Sequence, residues 1–82
     1  MDDASADLEA RVAAAPSDPD LRLRLASAFL RQGMLDEAEA ELDAALALAT
    51  TGSRTRLTTV VLRQRVRNLI VQRDLWRDEL HG

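Results

Sequence analysis

The 82-residue chain has no cysteine and no tyrosine, two prolines, three glycines and a single Phe and Trp. Without cysteine, neither a disulfide framework nor a thiolate metal site can reinforce the fold. Phe29 and Trp76 stand against fourteen Ala and fourteen Leu. That balance favours helices over a β-sandwich, whose strands draw on β-branched and aromatic side chains. The glycines are isolated at Gly33, Gly52 and Gly82, so there is no glycine-rich phosphate loop. Ser5, Ser17, Ser27 and Ser53 have no His or Lys base placed to activate them, since the one His is the penultimate residue, His81. These absences argue against an enzyme, and no cofactor is expected. The acidic start, Met1-Asp2-Asp3-Ala4-Ser5, opens no apolar leader. The longest apolar run, Ala44 to Ala49, is far below the roughly 20 residues of a membrane span. A soluble cytoplasmic protein without a membrane partner is predicted.

What is present fits one small domain over residues 1–82, of 9.1 kDa. A chain this short buries only about 60% of its unfolded surface, so its core is thin. Every cation is Arg, and the net charge of −3 conceals an asymmetry. Residues 1–49 carry eleven acids and four arginines, whereas residues 50–82 carry seven arginines and three acids. The halves should attract each other, or matching halves of another chain.

Four helices are predicted. The first starts near Asp3 or Ser5 and sets Ala4, Leu8, Val12 and Ala15 on one face before Pro16 ends it. Asp18-Pro19 opens the second, with an acidic cap and proline at the first helical position. Leu21, Leu25, Ala26, Phe29 and Leu30 line that helix until Gly33 terminates it. The third carries Leu35, Ala38, Leu42, Ala45 and Ala49 on one stripe, broken by Thr50-Thr51-Gly52. Ser53 caps a fourth that runs almost to the end.

Residues 19–52 resemble a tetratricopeptide repeat, a 34-residue helix–turn–helix unit. Leu25-Ala26 followed by Phe29 matches the signature of its first helix, Gly33 its turn, and Ala38 and Ala45 the small positions of its second. Ala4, Leu8 and Pro16 fit the end of a preceding half repeat. The resemblance implies an all-α fold with a half repeat over 3–15 and a helix pair over 19–49; it stops after residue 52, where the residue pattern adds a long terminal helix over 53–80. Arg22 stands where the family often has a bulky aromatic, and Thr50 replaces the closing proline. Repeats of this kind are normally stacked three or more deep, and this chain holds about one and a half.

The last helix carries the functional expectation. Arg54 to Leu80 contains no Gly or Pro, which predicts 27 helical residues and a length of about 40 Å. Val60-Val61-Leu62 and Leu69-Ile70-Val71 each cover about 200° of arc, wider than one buried stripe requires. One side can pack on the third helix, while the other, with Val66, Leu69, Ile70, Leu75, Trp76 and Leu80, calls for a second chain. A homodimer is expected. Two antiparallel copies crossing near residues 70 and 71 would set Arg67 opposite Asp74 and Arg63 opposite Asp78, each pair of numbers adding to 141. The rival is a helix that folds back at Asn68.

The resemblance further implies that a protein or peptide partner lies on the concave face, at Asp20, Leu23, Arg24, Ser27 and Arg31. Arg24 and Arg31 present planar donor forks to a carboxylate. The acids of the third helix, Asp36, Glu37, Glu39, Glu41 and Asp43, read as a solvated face, and no Glu-x-x-His pattern suggests a metal. The arginines of the last helix raise nucleic acid as an alternative. A pI near 5.0 and the placing of the only local aromatic, Trp76, in an apolar stripe argue against it. A second alternative is a co-chaperone-like holdase using the exposed apolar surface.

Overall fold

A computed structural model describes residues 4–81 as four α-helices: α1 (Ala4–Ala14), α2 (Pro19–Arg31), α3 (Leu35–Leu48) and α4 (Arg54–His81). There is no strand among the described residues. Local chemistry accounts for most of the boundaries. At α2, Asp18 Oδ1 accepts from the N–H groups of Asp20 and Leu21, satisfying donors that the first turn leaves orphaned. At its other end Gly33 adopts φ 77°, while Gly33 N–H donates to Leu30 O and Met34 N–H to Phe29 O. This double closure is a Schellman turn, which glycine enters without steric cost. Ser53 Oγ accepts from Arg56 N–H and starts α4. At the beginning of the chain the expected cap differs: α1 already includes Ala4, so Ser5 is inside the helix, and Asp3 lies outside the described residues.

Short connections make successive helices antiparallel neighbours. α2 packs chiefly on α3, α3 on α4 and α1 on α2, and α2 also touches α4. The result is a flat array measuring 43 × 33 × 14 Å. Its core is lined by the repeat-signature positions: Leu25, Ala26, Phe29, Ala38, Leu42 and Ala45 are all buried. Alanines at the helix contacts let backbones approach, while Leu42 and Phe29 fill the space between. Arg22, in place of the aromatic, bridges two segments. Its Nε donates to Pro16 O at 2.9 Å and its Nη1 to Glu41 at 3.1 Å, tying the α1–α2 loop to α3.

α4 is uninterrupted through Asn68, so the fold-back is not what forms. Of its two apolar sides, the inward one holds Thr59, Leu62, Val66 and Ile70. Thr59, not Val60 or Val61, is the buried residue of that turn, and its hydroxyl is satisfied by donating to Thr55 O. α3 begins at Leu35, opposite Arg73, and every described residue of α4 from Asp74 to Leu80 is exposed.

Candidate protein-interaction surfaces

Asp36, Glu37 and Asp43 of α3 are exposed, as a solvated face requires, but most of the acids of this helix are also paired with arginines. Running antiparallel to α3, α4 presents arginines to three of its five acids: Arg73 to Asp36 at 3.3 Å, Arg67 to Glu39 at 2.8 Å and Arg63 to Asp43 at 2.6 Å. Arg56 completes the ladder by donating to Leu46 O near the carboxyl end of α3, where orphan carbonyls and the helix dipole favour a cation. The hydrogen bond from Arg63 to Asp43, reinforced by the carboxylate charge, raises the Arg63 guanidinium pKa above its ordinary value. The hydrogen bond from Arg73 to Asp36, then that to Asp74, does the same for Arg73. The charge asymmetry of the two halves is thus met within one chain. Among the described residues no cluster of three His, Asp or Glu side chains could hold a metal.

This ladder alters the predicted self-association set. Val66 is fully buried inside the chain, so it is unavailable to a partner. Arg63 and Arg67 turn towards α3, which removes the cations of the register in which numbers add to 141. Asp74 lies beside Arg73 at 3.2 Å. Ile70 is half-buried against the core, whereas Leu69, Leu75, Trp76, Leu80 and Asp78 are exposed. Among the described residues, eight of the ten exposed large apolar side chains lie on α4, including Leu57 at 64%, Leu75 at 60% and Trp76 at 65% exposure.

The predicted concave residues separate into two kinds. Leu23 packs against the core, and Asp20 accepts a 2.6 Å hydrogen bond from the Thr55 hydroxyl, joining the starts of α2 and α4. Arg24 and Arg31 are exposed and have no ion-pair partner among the described residues. Ser27 donates to Leu23 O and lines an open apolar groove, whose other residues, Leu57, Thr58, Val61, Leu62 and Arg65, all belong to α4. That second wall escaped the sequence reading. Its signal was the parallel course of α2 and α4, which two antiparallel connections in succession require.

Among the described residues, no helix is long and apolar enough to cross a membrane. No curated protein and no solved structure matches the chain. A family model described as Tetratricopeptide repeat matches residues 1–55, a span that includes α1, α2, α3 and the start of α4. With the signature side chains forming the core of an α2–α3 hairpin inside that span, the chain belongs to the tetratricopeptide-repeat family.

Proposed function

We propose that this protein is a non-catalytic interaction module that self-associates through α4 and takes a segment of a partner protein in the groove between α2 and α4. Tetratricopeptide repeats generally mediate protein–protein interaction. The observation that carries the reading is the concentration of exposed Leu, Val and Trp on one helix, in a chain whose remaining apolar groups are mostly covered. Contiguous apolar surface of this kind marks an interaction site. The groove favours an apolar segment with an acidic flank, because Arg65 lines it and, like the exposed Arg24 and Arg31 elsewhere on α2, has no carboxylate partner among the described residues. Nucleic acid is the weaker reading, since Arg56, Arg63, Arg67 and Arg73 are engaged with α3.

Sedimentation or light scattering over at least a tenfold concentration range tests self-association. A multiple of 9.1 kDa supports it. A monomer at every concentration removes it and leaves the apolar side of α4 for other proteins, as in a holdase.

A further inference from the structure

Each helix of this array packs antiparallel on the one before it, yet the face of α4 turned away from α3 has no successor among the described residues. That face is regular. Arg54, Leu57, Val61, Gln64, Asn68, Val71, Leu75 and Asp78 recur at alternating steps of three and four, and all are exposed. Such spacing is the seam of a coiled coil, in which a side chain from one helix enters a hole on the next. It lies opposite the stripe of Thr59, Val66 and Ile70 that faces the core, so both sides can be covered at once; Leu57 and Val61 also border the α2–α4 groove, so pairing here leaves a partner segment the Ser27, Thr58, Leu62 and Arg65 side of that groove.

The order of residues along this seam is self-complementary. Counted from either end it reads charge, Leu, Val, amide, then amide, Val, Leu, charge. We infer that two copies of α4 pair antiparallel on this face, about a two-fold axis at the level of Val66. The inference rests on the self-association proposed above and names its geometry. In this register the numbers of opposed residues add to 132: Leu57 meets Leu75, Val61 meets Val71, Gln64 meets Asn68, and Arg54 meets Asp78. The four apolar layers span about 27 Å from end to end. Shifting by one heptad sets an amide against Val or Leu and removes the match.

Two further observations fix this arrangement over its rivals. Gln64 Nε2 already donates to Asn68 Oδ1 at 3.1 Å, so both amides sit side by side on the seam. A polar pair at the middle of an apolar seam specifies register, because other alignments bury the remaining donors and acceptors of these amides against Val or Leu. At the ends, neither Arg54 nor Asp78 has an ion-pair partner among the described residues, unlike Arg63 and Arg67. The register brings those two opposite charges together twice per dimer, once on each side of the axis.

The absence of cysteine permits a direct test. Val61→Cys and Val71→Cys are prepared separately in the full chain, at exposed positions, with helicity checked by circular dichroism. The expected result is that a mixture of the two, mildly oxidised, yields a cross-linked species of twice 9.1 kDa, while each variant alone does not. Cross-linking of Val71→Cys with itself would mean that copies meet near residue 71; the register is then overturned while self-association stands. An unmodified chain that assembles but whose mixed variants stay uncross-linked would place the interface elsewhere, again overturning only the register. A mass of 9.1 kDa at every concentration would remove both the register and the self-association on which it rests.

Discussion

The α2–α3 hairpin and the outer side of α4 use the same kinds of residue to opposite ends. In the hairpin, Leu25, Phe29 and Leu42 are enclosed by alanines that bring two backbones together, and nothing apolar is left to a partner at those positions. On α4, Leu57, Val61, Val71 and Leu75 are as apolar but stand in solvent, because α3 covers the helix's other side and α2 only borders Leu57 and Val61 across an open groove. The difference is one of neighbours. A leucine stabilises the fold of a single chain only when a second element of that chain covers it, and otherwise its burial free energy is reserved for association.

Changes in the hairpin should therefore be felt by the monomer, and changes on the outer side of α4 only by the assembly. Leu42→Ala, in a site with no exposure, is expected to lower unfolding free energy by about 2–5 kcal/mol, read from urea or thermal melts. The matching Leu75→Ala should stay within about 0.5 kcal/mol at concentrations where the chain is monomeric. Equal losses would erase the distinction. Leu75→Asp should leave helicity intact and weaken self-association by roughly 100-fold or more, since a two-fold dimer loses two buried leucines, as seen in sedimentation. Ile70→Asp sharpens the contrast, since Ile70 packs on the core and its replacement should destabilise the monomer too.

Smaller effects belong to the connections. Arg22→Ala removes the tie from Pro16 O to Glu41 and should cost about 1–2 kcal/mol, with Lys a poor substitute because one ammonium cannot span both acceptors with the guanidinium's planar fork. Gly33→Ala, at φ 77°, should cost about 1 kcal/mol through the strain of a Cβ in the left-handed region, with no clash to relieve. The smallest effect is that of pH on the ladder. Arg63 and Arg73 have raised pKa values, so their contribution is complete below the ordinary arginine range and is lost only as pH rises through the folded values above it. Melting temperatures of the parent chain and a double Arg63→Gln, Arg73→Gln variant should accordingly differ by the same amount at pH 6, 7.5 and 9.

The helices themselves were legible because their signals are local. Pro16, Asp18-Pro19, Gly33, Gly52 and Ser53 act within a turn of where they stand, and the spacing of small and large residues from Leu25 to Ala45 repeats over a short span. The candidate surface was legible only in outline. That α4 has two sides needing cover follows from its apolar triplets, but those triplets span too much of the circumference to tell which side turns inward. Thr59 and Val66 were the residues most easily misjudged: a threonine reads as surface and a valine amid arginines as interface, yet both are fully buried.

The sequence by itself determined a cysteine-free, all-helical chain with a tetratricopeptide hairpin and one long terminal helix, because capping, proline, glycine and side-chain periodicity operate over a few residues. Only the tertiary structure decided the rotation of α4 about its own axis. That rotation places Arg63, Arg67 and Arg73 against Asp43, Glu39 and Asp36, up to 37 residues away in the chain. It seals Val66 beneath α3, and it leaves the seam from Leu57 to Leu75 facing outward. An arginine's sequence says that it needs a carboxylate; which carboxylate it meets depends on how two helices pack.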